Sequence, residues 1–201
     1  MTVIYLATNN AHKVEELSAM FEREKLPVSV RSAKDIGGMP EVEETESSFE
    51  GNATLKVSAL AKRVGEGNYA LADDSGLEVE ALDGAPGIYS SRFAGEDTTD
   101  EANLAKLIIL ISQLAEDNRG GQFTCSLVLM NNQGQRVSFN GICRGRLIPE
   151  ARGDNGFGYD PAFIPEGYDQ TFGELGWEVK SKISHRATAL QQLVGWLREK
   201  L

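Results

Sequence analysis

The chain has 201 residues, with 20 Lys and Arg against 30 Asp and Glu, giving a formal net charge of −10. So acidic a chain lacks the basic footprint that binding a phosphate backbone needs, which excludes nucleic acid and anionic membrane surfaces as general partners. The hydrophobic fraction of 41% is too high for a disordered chain, and the length suits a single domain over residues 1–201.

No apolar run approaches the roughly 18–20 residues of a membrane span. The opening Met1-Thr2-Val3-Ile4-Tyr5-Leu6 lacks the basic start of a signal peptide. Cys125 and Cys143 are too few for a disulfide scaffold, and with no CxxC and only His12 and His185 a structural zinc site is not expected. The expected location is cytoplasmic.

Val3 to Ala7 is a short apolar run of β-formers and predicts a buried strand. Asn9 or Asn10 then caps a helix with Val14, Leu17 and Phe21 on one face, ending before Pro27. Val28 to Arg31 predicts a second strand, and residues 35–46 a loop with a run of acids. Ser47-Ser48-Phe49-Glu50 fits a capping box and opens a helix with Phe49, Ala53, Val57, Leu60 and Val64 inward. Tyr69 to Ala72 predicts a strand ending in Asp73-Asp74-Ser75-Gly76, with another over Leu77–Leu82. Thr98-Thr99-Asp100-Glu101 is a second capping box, opening a helix with Leu104, Leu107, Ile108, Ile111 and Leu114 inward.

Gln122–Met130 and Gln135–Leu147 alternate with period two around Asn131-Asn132-Gln133-Gly134, which predicts a hairpin. Both thiols fall on its apolar faces and read as small core residues. A last helix starts near Ser184 and carries Leu190, Leu193, Val194 and Leu197. Early strand–helix alternation and a late hairpin together predict an α/β fold with a mixed sheet.

Five places could carry chemistry. Thr8-Asn9-Asn10-Ala11-His12-Lys13 sits at a helix N-terminus, whose unpaired N–H groups and dipole suit phosphate; a capped helix with a solvated lysine is the plainer reading. Asp73-Asp74-Ser75-Gly76 puts two carboxylates at a strand end, where one could hold Mg²⁺ and activate water, or both could be exposed turn acids. Glu41, Glu43, Glu44 and Glu46 precede a helix on which Asn52 and Lys56 share a face, a set able to hold a metal–phosphate complex. Gly153 to Pro161 forms a glycine-rich loop in which Phe157 either meets a planar ligand or plugs the core. Lys180 with Ser184-His185-Arg186 places cations at a helix N-terminus, against its dipole, which suggests an anionic or acceptor-rich partner.

Six blocks in this order carry a resemblance: Ala7 to Lys13, Ser48 to Ala53, Ala72 to Leu77, Gly84 to Ser90, Gly156 to Pro161, and Ser184-His185-Arg186. Together they resemble the inosine triphosphate pyrophosphatase family, over residue 3 to about residue 195. The resemblance implies Mg²⁺-dependent (Mn²⁺ as a substitute) cleavage of ITP, dITP and XTP to the monophosphate and pyrophosphate. It also implies a homodimer and a long mixed central sheet flanked by helices, in two lobes with the active-site cleft between them. By position, Thr8, Asn9, Asn10, Ala11, His12 and Lys13 would contact the phosphates. Asp74 would be the proton acceptor and a metal ligand, with Glu43 the other ligand ahead of Glu44. Lys13 and Lys56 would add positive charge near the phosphates, with Lys56 counted beside the catalytic residues. Ser75, Phe157, Gly158, Tyr159, Asp160, Lys180, His185 and Arg186 would bind substrate. Ala187 departs from the glycine common in the family at that position.

Overall fold

The structure is a computed structural model, and it describes residues 2–8 and 11–200. Among these residues six strands form one sheet: β1 (Thr2–Leu6), β2 (Val28–Ser32), β3 (Tyr69–Val79), β4 (Gly120–Asn131), β5 (Arg136–Leu147) and β6 (Phe163–Pro165), in the order β2-β1-β3-β4-β5-β6. β1 pairs in parallel with both β2 and β3, whereas β6 runs antiparallel to β5, so the sheet is mixed. Among the described residues, five α-helices accompany it: α1 (Ala11–Arg23), α2 (Phe49–Ala61), α3 (Asp100–Ser112), α4 (Trp177–Ile183) and α5 (His185–Lys200).

Two compact units share these elements. One contains Met1–Asp74, Ser126–Asn140 and Ala189–Leu201; the other contains Ser75–Cys125 and Gly141–Thr188. In the first, Val57 and Leu60 of α2 pack with Ala70 and Ala72 of β3 and with Val128. In the second, Leu107 and Ile111 of α3 pack with Leu77, Phe123, Phe163 and Phe172.

The expected elements form, with three differences. Tyr69–Val79 is one strand of 11 residues that runs through the Asp-Asp-Ser-Gly segment instead of ending before it, and Glu80–Leu82 is a 3-10 turn rather than strand. β1 pairs with β3 only as far as Leu71; beyond that point the sheet supports β3 from the β4 side. The caps of α2 and α3 fall one residue later than the capping boxes predict. Ser48 Oγ accepts from Gly51 N at 3.1 Å, and Thr99 Oγ1 accepts from Ala102 N at 3.2 Å. Each box begins with two hydroxyl residues, and the second takes the cap, which leaves Glu50 free to accept from Ser138 Oγ at 2.8 Å. Finally, the short β6 and α4 carry too few residues to show periodicity and were not expected.

The hairpin turns as predicted, with Asn131 N donating to Gln135 O at 3.1 Å and Gly134 at φ 81°. Cys125 and Cys143 are both buried, and burial pushes the Cys143 thiol up to about 12.

Candidate active site

In the first unit, strand alternation settles the roles of the two adjacent aspartates. Ala72 packs on α2, so Asp74, two residues on, faces the same side and Asp73 the other. Both are buried. From α2, the Lys56 Nζ lies 2.6 Å from Asp74 Oδ1 and 3.2 Å from Glu44 Oε1. One ammonium thus joins the strand carboxylate to the acidic loop.

Burial lifts the Asp74 carboxyl above the ordinary carboxylate range. Lys56 pulls it back, and the neighbouring Glu44 and Asp73 charges push it up again. Burial alone would lower Lys56, but the charges and hydrogen bonds of Asp74 and Glu44 outweigh it and hold the ammonium above its ordinary value. A carboxylate of raised basicity beside a firmly charged lysine suits proton abstraction from water next to an anionic substrate.

The donor set also fits a hard divalent cation. Glu44 and Asp74 offer carboxylate oxygens around one lysine, so the local charge remains negative. Among the described residues no group of three or more His, Cys, Asp and Glu side chains forms a protein-only cage. Two carboxylates completed by phosphate oxygens is how Mg²⁺ is commonly held. Glu44 is the loop acid placed against Asp74 and Lys56, whereas Glu43, the expected ligand, is exposed. Thr8 follows β1, where Ala7 N donates to Leu71 O of β3 at 2.7 Å. Asn9 and Asn10 lie outside the described residues, as do the side chains of Ala11, His12 and Lys13, whose backbones open α1.

In the second unit the glycine-rich loop is built around Asp160. Its Oδ2 accepts from Phe157 N at 2.8 Å and from Lys180 Nζ of α4. Gly156 stands at φ 78°, and a Cβ there would meet that same Oδ2 at 2.0 Å. Of the two aromatics, Tyr159 fills the core and donates from its hydroxyl to Ser90 O at 2.7 Å. Phe157 remains 46% exposed, with Lys180 Nζ 4.6 Å and Arg186 Cζ 5.8 Å from its ring centroid. The ligand-facing reading of Phe157 therefore fits, and the core role passes to Tyr159.

Ser184 caps α5 as expected, accepting from Ala187 N at 3.2 Å, so the alanine at 187 leaves the cap intact. His185 and Arg186 occupy the first turn and are buried, and His185 stacks on Phe123 at 4.9 Å. Ser75 follows Asp74 on β3 and is half-buried.

Sequence reasoning missed Ser90 as an organiser of this unit. Its Oγ accepts from Leu77 N at 2.9 Å and donates to Gly87 O at 2.6 Å, while its carbonyl takes the Tyr159 hydroxyl. The only signal was its place at the end of the Gly84 to Ser90 block.

Fold and site together define a mixed α/β protein in which a buried carboxylate on a central strand pairs with a lysine of the adjoining helix. Residues 4–196 match the model of the Ham1 family, and the chain belongs to that family. It is 44% identical to a dITP/XTP pyrophosphatase of Opitutus terrae, covering 97% of this chain and 98% of that protein. A dITP/XTP pyrophosphatase of Bacillus licheniformis is 42% identical, covering 96% of each. Among solved structures, a HAM1 protein from Coxiella burnetii superposes with a TM-score of 0.90 at 37% identity, covering 99% of this chain and 100% of that one. The Staphylococcus aureus Ham1 protein gives 0.88 at 38% identity, covering 100% of both chains.

Proposed function

We propose that this chain is a nucleoside triphosphate pyrophosphatase that hydrolyses deaminated purine nucleotides, dITP, XTP and ITP, to the monophosphate and pyrophosphate. Such an activity removes these nucleotides from the pool that feeds nucleic acid synthesis. The observation that carries it is the Asp74–Lys56–Glu44 cluster, built on a buried Asp74, in a chain whose near-full-length relatives are named for this reaction.

Water attacks the α-phosphorus, its proton passes to the Asp74 carboxylate, and the bond from the α-phosphorus to the bridging oxygen breaks to release pyrophosphate. Lys56 offsets charge that builds on the phosphate oxygens. Mg²⁺, held by Asp74 and Glu44, would neutralise the polyphosphate when bound. Thr8 and the start of α1 take the phosphate chain, at the positive end of a helix. Phe157 offers its exposed ring to the base, and Arg186 and His185 supply hydrogen-bond donors to it.

No helix among the described residues is long and apolar enough to cross a membrane. We place the protein in the cytoplasm, where its buried thiols stay reduced and its substrates form. The homodimer implied by the family resemblance is tested by sedimentation equilibrium.

The deciding experiment is turnover of dITP, XTP and ITP against ATP and GTP, with both products identified. Monophosphate and pyrophosphate in equal amounts from the first three, and little from the others, is the expected result. Release of inorganic phosphate, or triphosphates left intact after long incubation with Mg²⁺, would refute it.

A further inference from the structure

The acidic loop does not reach the site unaided. Residues 37–46 run back along α2 on three rungs. Arg63, just past the end of α2, donates to Gly37 O at 3.1 Å and Gly38 O at 2.8 Å. Lys56 donates to Glu44 Oε1 at 3.2 Å. Asn52 Oδ1 accepts from Glu46 N at 3.0 Å. Loop numbers rise as helix numbers fall, so the two segments are antiparallel.

The two rungs nearest the site are compatible in spacing. A fully extended step from residue 44 to 46 can reach about 6.6 Å, enough to span the about 6 Å that helical residues 52 to 56 advance. Seating Glu46 on Asn52 therefore delivers Glu44 to Lys56. The first turn of α2 is shaped for this. A Cβ at Gly51 would lie 2.6 Å from Glu46 Cβ and 2.9 Å from its Cγ, so the glycine leaves room for Glu46 to lie over the helix.

The Asn52 rung differs from the others in its burial, at 0% exposure. The Glu46 N–H can face only an acceptor, which orients the carboxamide: Oδ1 toward the loop, Nδ2 away. That Nδ2 is buried with no hydrogen-bond partner among the described residues. An unpaired buried donor opposes folding, and a leucine of similar size would avoid it. An aspartate would keep the acceptor but would add a negative charge near Glu44 and Asp74. Of these three side chains, only asparagine keeps a neutral acceptor there, and it does so at the expense of an unsatisfied donor.

We propose that Asn52 is a positioning residue that acts through Glu44, holding the acidic loop in the register that sets Glu44 on the Lys56 ammonium beside Asp74. The proposal rests on reading Asp74, Lys56 and Glu44 as the reaction centre.

The test compares the full-length wild type with Asn52→Leu, Asn52→Asp, Glu44→Gln and the Asn52→Leu/Glu44→Gln double variant. Circular dichroism checks folding, hydrogen exchange reads loop order, and pyrophosphate release from dITP reads kcat and KM. Should the leucine variant not fold, Asn52→Ala, which removes both the acceptor and the unpaired donor, replaces it.

Asn52→Leu should speed exchange in peptides covering residues 41–47, and Asn52→Asp should restore protection there. Asn52→Leu should lower kcat roughly tenfold with a smaller change in KM. In the Glu44→Gln background the same substitution should cost less than about twofold more, because both act through one carboxylate. Wild-type loop protection in a folded Asn52→Leu variant would overturn the proposal, and so would losses that multiply in the double variant. If the wild type released no pyrophosphate, the functional reading would fail instead, and the exchange comparison would still decide the register.

Discussion

Asp74 is under opposing demands: buried, it resists ionisation, yet the proposed reaction requires the carboxylate. Its folded pKa lies above the unfolded value, so its contribution to stability is present below the ordinary 3.8 and is lost as pH rises through the folded pKa. At neutral pH the ionised group therefore opposes folding, with the Lys56 pair already counted in that balance. Asp74→Asn should raise the thermal midpoint near pH 7, and the difference should shrink as pH falls toward 3.8. The same substitution removes the base, so turnover should fall roughly 10²-fold or more. Thermal melts across pH and pyrophosphate release check the two halves separately. Arg186 carries a different prediction. Hypoxanthine and xanthine present an acceptor oxygen at position 6 where adenine presents an amino group, and a guanidinium only donates. Arg186→Ala should lower kcat/KM for ITP far more than for ATP, shrinking the ratio at least tenfold, about 1.4 kcal/mol. Guanine shares the oxygen, so the ITP/GTP ratio should move much less. An equal loss for all three nucleotides would make Arg186 a phosphate or structural contact.

Among the elements, the loop ending at Asp160 is the most sharply constrained. Gly156 combines a left-handed backbone with a Cβ position only 2.0 Å from Asp160 Oδ2. Gly156→Ala should displace that carboxylate from Phe157 N and Lys180, on top of a backbone cost of about 1–3 kcal/mol. Gly158 is the control: its φ is also positive, at 59°, but nothing lies within 4 Å of its Cβ position. In melting experiments Gly158→Ala should show only the backbone cost, and in kinetics Gly156→Ala should lose kcat/KM for dITP. The capped helices show how far local patterns reach. Both cap sites were legible because hydroxyls precede an apolar 3.6-residue stripe. The choice between adjacent hydroxyls was not, because a one-residue shift leaves that stripe almost unchanged.

For the whole molecule, catalysis should be independent of thiols and dependent on a divalent cation. Cys125 and Cys143 are buried, and burial holds the Cys143 thiol protonated at neutral pH. A Cys125→Ala, Cys143→Ala double variant should lose some stability, from the volume removed, and keep its turnover. Excess EDTA should abolish hydrolysis, Mg²⁺ should restore it, and Mn²⁺ should substitute, since hard carboxylate oxygens accept either. Full activity in EDTA would leave Lys56 as the main counter-charge to the phosphates.

Periodicity, turn residues and ordered motifs in the sequence by themselves determined an α/β chain with a mixed sheet, the central helices and hairpin, and the two core thiols. Those signals are local, set by neighbours within a few residues along the chain. What only the tertiary structure decided depends on distant partners. β3 runs on through Asp73 and Asp74 because the sheet supports it from the β4 side beyond Leu71. Glu44 joins Asp74 at one ammonium because Lys56, 12 residues from one and 18 from the other, bonds both. Tyr159 rather than Phe157 enters the core because its hydroxyl finds a carbonyl 69 residues away. A side chain's role at these positions follows from which remote group satisfies its polar atoms, and no local pattern encodes that.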